Sequence, residues 1–170
     1  MIFLALGSNL PSSFGNRFEN INMAISYLES YGIQIIKKSN FYETYSYPIK
    51  ENPKFINIVV SVKTHLSPED LMSVLLFIEK KLERKRDKKN DPRTCDIDII
   101  DYNNQALHFK YENLNLTVPH KELTFRNFVL LPLQEISPEW KHPITKENIS
   151  TLIDKLPEEE KKSILKVKIS

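Results

Sequence analysis

Phe55-Ile56-Asn57-Ile58-Val59-Val60-Ser61-Val62-Lys63, followed after three residues by Ser67-Pro68-Glu69-Asp70, decides how the fold is read. The first nine residues alternate with period two, which predicts a strand. Ile56, Ile58, Val60 and Val62 make its core face, and Phe55, Asn57, Val59 and Ser61 fall on the other. The second group is a helix start: Ser67 can cap, Pro68 suits the first helical position, and Glu69 and Asp70 favour the positive end of the helix dipole. That helix is predicted to run to about Lys85.

Working outward, Ile2–Leu6 reads as a first strand ended by Gly7-Ser8-Asn9. Phe18, Ile21, Ala24, Ile25 and Leu28 recur at helical spacing over 16–31, and Gly32 is placed to end that helix. Residues 33–36 and 41–42 predict a second strand, bent between its two parts. Asp96–Tyr102 predicts a fourth, with Asn103-Asn104 turning into 105–109. Helices are expected around 126–136 and 149–156, and 158–162 reads as a solvated charge run. The order β-α-β-β-α-β predicts an α+β, ferredoxin-like fold: an antiparallel sheet with helices on one face and a C-terminal extension from about 140. The other face stays open unless loops and that extension cover it.

At 170 residues and 19.9 kDa, one domain spanning 1–170 is expected. Hydrophobic residues at 41% and charged ones at 27% suit a globular protein, and a net charge of +2 confines any basic surface to a patch. Cys95 is the only cysteine, so intrachain disulfides and cysteine-based zinc sites are excluded. The apolar start lacks a basic leader and reads as a buried strand, not a membrane span. A cytoplasmic monomer is the expectation.

Chemistry concentrates at Asn90-Asp-Pro-Arg-Thr-Cys-Asp-Ile-Asp-Ile-Ile100. Alternation puts the Asp96 and Asp98 carboxylates on one strand face, about 6–7 Å apart at the backbone. Two carboxylates so close call for a hard cation between them, and magnesium takes one or two carboxylates with water and phosphate oxygens. By the same parity Asp101 belongs with Ile97 and Ile99, so it is read as leaving the strand and not as a ligand. From Lys80 to Arg93 the chain is basic, and its arginines suit bidentate phosphate contacts. Residues 88–92 read as a mobile loop. Pro119-His120 and Arg126-Asn127-Phe128 form a further cluster. Phe55 and Phe128 could flank a planar ring with Asn57 at its edge. No Walker A loop is present, since the chain has three glycines.

Leu-Gly-Ser-Asn-Leu (6–10), Phe-Tyr-x-Thr (41–44), Pro-x-Phe-x-Asn-x-Val (53–59), Glu79, Pro-Arg-Thr-x-Asp-Ile-Asp-Ile (92–99), Val-Pro-His (118–120) and Arg-x-Phe-Val-Leu-x-Pro-Leu (126–133) occur together in this order. Jointly they resemble the 6-hydroxymethyl-7,8-dihydropterin pyrophosphokinase family over about residues 2–138. The resemblance implies transfer of pyrophosphate from ATP to the pterin hydroxymethyl group, with release of AMP, in folate biosynthesis. It implies that Asp96 and Asp98 hold two Mg²⁺ ions. Arg84, Arg93 and His120 would contact phosphates, with Arg126 near the nucleotide or the entrance. Asn57 would read the pterin edge between Phe55 and Phe128, and the Thr44 backbone would add a contact. Glu79 would support the nucleotide or its loops, and no residue is assigned as a general base.

Three departures from the family pattern stand out. Asn90-Asp91 replaces a common Trp-Gly, losing an aromatic lid and adding a negative charge beside the phosphates. Asn115 stands where some relatives carry arginine, and Asn103 where glycine is common. The main rival, a non-catalytic nucleic-acid-binding module of the same fold, lacks the aromatic strand motif such modules use. An ordinary kinase releasing ADP is the other.

Overall fold

Burial on both sides of one sheet organises the chain. The computed structural model describes residues 1–168. Its elements are β1 (Ile2–Ser8), α1 (Arg17–Ser30), β2 (Gln34–Lys38), β3 (Tyr42–Thr44), β4 (Phe55–Lys63), α2 (Pro68–Lys81), β5 (Asp96–Tyr102), β6 (Leu107–Tyr111) and β7 (Leu114–Val118). A 3-10 turn (Leu123–Phe125) leads to α3 (Asn127–Ile136), α4 (Ile149–Asp154), α5 (Glu158–Lys162) and β8 (Leu165–Lys166). The main sheet runs β5-β1-β4-β3-β8, with β2 also on β4, and all its pairings are antiparallel. β2 and β3 pair with successive stretches of β4, so they are one bent strand. At the bend, Val59 N–H donates to Ser39 Oγ at 3.0 Å, which closes the gap in the ladder. This is the ferredoxin-like order, extended at its edge by β8.

The two helix ends show why one boundary was legible and the other was not. Both helices close with paired bonds back to their last turn: Gly32 N–H to Glu29 O and Ile33 N–H to Leu28 O, then Glu83 N–H to Lys80 O and Arg84 N–H to Glu79 O. Gly32 sits at φ +76° in the first, as its lack of a side chain permits. In the second the left-handed position is Glu83, at φ +69°. A glutamate there gives no sequence signal, so α2 ends at Lys81, not near Lys85.

Ile56, Ile58, Val60 and Val62 pack with Leu4, Leu6, Ile97 and Ile99 under α1 and α2, as the alternation requires. The other face is not open. Phe3, Val59 and Ile100 are buried there against Val129, Leu130 and Leu133 of α3, and beyond them Trp140, Ile149 and Leu152. The parity argument for Asp101 fails because the register of β5 on β1 shifts: Leu4 faces Ile99 but Phe3 faces Asp101. A bulge at Ile100 returns Asp101 to the face shared by Asp96 and Asp98. Asp101 remains in the strand, buried, accepting from Trp140 Nε1 at 2.9 Å.

The hairpin β6–β7 and the strand β8 were not expected from the sequence. The charge run at 158–162 is a short, mostly exposed helix. No helix among the described residues is long and apolar enough to cross a membrane.

Candidate active site

One end of the sheet gathers the candidate residues. In register, Gly7 of β1 faces Asn57 on one side and Asp96 on the other, and Ala5 faces Val59 and Asp98. Directly opposed residues share a face, so Asn57, Gly7 and Asp96 form one row. Two strand spacings, about 9–10 Å, separate Asn57 from Asp96. Asn57 Nδ2 donates to Thr44 Oγ1 at 3.0 Å, which fixes the amide.

The aspartates are clamped by arginines. Arg84 Nη1 donates to Asp96 Oδ1 at 2.9 Å, and Arg93 reaches Asp96 Oδ2 at 3.3 Å. Arg126 Nη1 donates to Asp98 Oδ2 at 3.3 Å and its Nη2 to Glu122 at 2.6 Å. Each outer arginine also covers a ring: the Arg93 guanidinium lies 4.9 Å from the centroid of Phe55, and that of Arg126 5.4 Å from Phe128. Arg84, Arg93, Asp96, Asp98, His120 and Arg126 line a cleft of about 380 Å³, together with the loop 85–91. Thr44, Phe55, Asn57 and Phe128 do not line that cleft; Arg93 joins it to Phe55 and Arg126 joins it to Phe128.

Electrostatics separates the two carboxylates. Burial would raise the Asp96 carboxyl, but Arg93 and Arg84 override it and hold it below the usual range. Burial and the charge of Asp96 push Asp98 up to about 7, only partly opposed by Arg126. The site is short of positive charge at Asp98. No group of three or more His, Cys, Asp and Glu side chains among the described residues could hold a metal. A pair of carboxylates facing a cleft lined with arginines could hold a hard cation such as magnesium, and does not suit zinc.

Burial and Arg126 push His120 down to about 4, so its imidazole is neutral near pH 7. Its Nδ1 accepts the Glu122 N–H at 3.2 Å, which leaves Nε2–H as a neutral donor. Glu79 lies beneath the cleft, 2% exposed, and accepts from Arg84, Arg86 and the Ile97 N–H. It braces the arginines and does not face the cavity.

Asn90 adopts φ +65°, and Asp91 lines the cleft, its carbonyl accepting from Arg93 at 3.2 Å. Asn115 is exposed and outside the cleft, although Leu114 and Leu116 line it. Asn103 takes the left-handed conformation, φ +52°, that glycine would also allow.

Two residues escaped the sequence reading. Glu122, which holds Arg126, had no signal beyond being a charge near a histidine. Asn9 is buried and ties three segments: Nδ2 donates to Ser46 Oγ and to the Pro53 carbonyl, and Oδ1 accepts the Arg93 N–H at 2.7 Å.

On a ferredoxin-like sheet, paired aspartates and converging arginines, two of them stacked on rings, make a site with donors for a phosphate-bearing ligand. Residues 3–138 match the family model for 7,8-dihydro-6-hydroxymethylpterin-pyrophosphokinase, and the chain belongs to that family. It is 37% identical over 143 residues to the 2-amino-4-hydroxy-6-hydroxymethyldihydropteridine pyrophosphokinase of Aquifex aeolicus, covering 84% of each chain. The Synechocystis protein of the same name is 36% identical over 90% of this chain and 74% of its own. The folic acid synthesis protein fol1 of Pneumocystis carinii is 35% identical over 96% of this chain, which spans only 21% of that relative's length. The crystal structure of Plasmodium falciparum HPPK-DHPS superposes with a TM-score of 0.72 at 19% identity, over 91% of this chain and 44% of that one. This last likeness concerns the fold alone.

Proposed function

We propose that the protein transfers pyrophosphate from ATP to the hydroxymethyl group of 6-hydroxymethyl-7,8-dihydropterin, releasing AMP, as a step of folate biosynthesis. The observation that carries this reading is the row Asn57–Gly7–Asp96. It sets a fixed amide beside Phe55 at one end and the aspartate pair with its arginines at the other, the layout that two substrates meeting end to end require. Family membership and the names of the bacterial relatives point the same way.

In this reading the pterin lies between Phe55 and Phe128, with its edge on the Asn57 amide and the Thr44 backbone. The triphosphate lies in the cleft, where Arg84, Arg93 and Arg126 give charged donors and His120 a neutral one. Asp96 and Asp98 would hold two Mg²⁺ ions, which would supply charge neutralisation for the phosphates. The pterin hydroxyl oxygen forms a bond to the β-phosphorus of ATP as the bond from that phosphorus to the AMP oxygen breaks, and the hydroxyl proton is released to solvent. Positioning and charge stabilisation carry such a transfer, and no side chain is assigned as a base. Glu79 acts through Arg84 and Arg86. The same reading takes residues 1–170 as one catalytic domain working as a cytoplasmic monomer, with 140–170 as its extension.

The test is to incubate protein, ATP and Mg²⁺ with and without the hydroxymethyl pterin and to identify the nucleotide product. AMP formed only with pterin is expected. ADP would indicate an ordinary kinase, and no turnover would return the chain to a binding module.

A further inference from the structure

In the pyrophosphokinase reading the pterin lies between two walls that come from distant parts of the chain. Thr44, Phe55 and Asn57 sit on β3 and β4, whereas Arg126 and Phe128 sit at the start of α3. Within its own helix that start is closed by the Val129 and Leu130 N–H groups on the Arg126 carbonyl. Arg126, the cap residue, makes no side-chain cap bond, and Pro132 has no N–H to offer the Phe128 carbonyl. Arg126 fastens it to Asp98 and Glu122, and Asn127, which is 4% exposed, fastens it to the C-terminal segment. Its Nδ2 donates to the Glu160 carbonyl at 2.6 Å and to Ser163 Oγ at 3.3 Å. Ser163 Oγ in turn donates to the Glu160 carbonyl at 3.2 Å.

The chain then goes directly to the opposite wall. Ile164 is buried, and β8 pairs with β3 through Glu43↔Leu165 and Tyr42↔Lys166. Val167 N–H donates to the Phe41 carbonyl at 2.8 Å. Lys162, Ser163 and Leu165 also share a cavity of about 110 Å³ with Thr44 and Tyr45. A strap of eight residues, 160–167, therefore runs from the first turn of α3 to the strand that carries Thr44. It lies outside the 3–138 stretch matched by the family model.

We propose that this C-terminal strap, fastened through Asn127, sets the spacing between the two walls of the pterin slot, which makes Asn127 a positioning residue for the pterin. The proposal rests on the pyrophosphokinase reading for the identity of the ligand, but not for the tie itself. The body of α3 is held by Val129, Leu130 and Leu133, so losing the Asn127 amide loosens only the first turn.

The experiment compares the full-length protein with Asn127→Ala and, as a milder change, Ser163→Ala. Hydrogen exchange is followed at 126–130, 42–46 and 157–167, alongside steady-state kinetics for both substrates. For Asn127→Ala we expect faster exchange in all three segments. The pterin KM should rise about tenfold, as loss of one buried hydrogen bond implies, and the ATP KM by clearly less, through Arg126 in the same turn. Ser163→Ala should shift both readouts the same way by about twofold to threefold. Unchanged exchange, equal rises in both KM values, or a lower melting temperature with unchanged pterin KM would each overturn the proposal. If wild-type protein forms no AMP from the pterin, the functional reading fails, and exchange alone then decides whether the strap ties the two walls.

Discussion

A Cβ built on Gly7 would lie 3.0 Å from Asn57 Oδ1 and 3.5 Å from a ring carbon of Phe55. Gly7 is thus a gap through which the Asn57 amide approaches the backbone of the neighbouring strand. Its φ is unremarkable; close approach is the reason for glycine here. Gly7→Ala should displace the amide by a few tenths of an ångström. We expect the pterin KM to rise about tenfold with little change for ATP, and a stability loss of about 1–3 kcal/mol from overpacking. Urea unfolding and steady-state kinetics report the two effects separately, and an unchanged pterin KM would contradict the role given to Asn57.

Asp98 is held at about 7 because burial and the Asp96 charge disfavour its ionised form. Replacing it with a neutral isostere removes that conflict. Asp98→Asn should raise the melting temperature of the metal-free protein by about 2–4 °C while lowering turnover about a thousandfold. Asp96→Ala should also abolish turnover without unfolding the protein. Activity retained in both variants would sink the metal assignment.

His120 behaves oppositely with pH. Its folded pKa, about 4, lies below its ordinary 6.5, so between those values the unfolded chain binds a proton that the folded one does not. Its contribution is present above pH 6.5 and is lost as pH falls through 4. Asp98 runs the other way, its contribution being lost as pH rises towards 7. Subtracting the unfolding free energy of His120→Gln from that of wild type, pH by pH, isolates the histidine. The difference should shrink from pH 7 to pH 4, and a flat difference would mean the imidazole is not held neutral.

Asp91 places a carboxylate on the cleft lining. Asp91→Asn should tighten ATP·Mg²⁺ binding about twofold to fivefold at low salt, and less as salt screens the charge. Isothermal titration at two ionic strengths measures this; an affinity independent of the substitution would move the phosphates away from this loop. Restoring Trp-Gly at 90–91 is less favourable than the sequence alone suggests. Position 90 is left-handed, φ +65°, and a tryptophan there costs about 1–2 kcal/mol.

Much of this was legible because local and global signals agreed. β4 and β5 match their expected spans of 55–63 and 96–102, and Ser67 caps its helix as its side chain suggests. What was not legible depends on partners far away in sequence. The face of β4 carrying Val59 is buried only because α3 returns over it. Asp101 changes face because of one bulged residue, which period-two counting cannot see. Glu83 ends α2 from a conformation its side chain does not advertise. β8 is two residues long and exists through its pairing with β3. Among site residues, aspartates and arginines were visible by type, but the pairing of each outer arginine with one aspartate and one ring needed coordinates.

Asn9 commits its whole amide to three segments: the loop after β3, the carbonyl of Pro53 two residues before β4, and the backbone of Arg93. The first two border the aromatic slot and the third borders the phosphate cleft. Neither loop can be displaced without bending the other through this one side chain. If a ligand in one half of the site shifts this side chain, thermodynamic reciprocity requires a ligand in the other half to respond by the same factor.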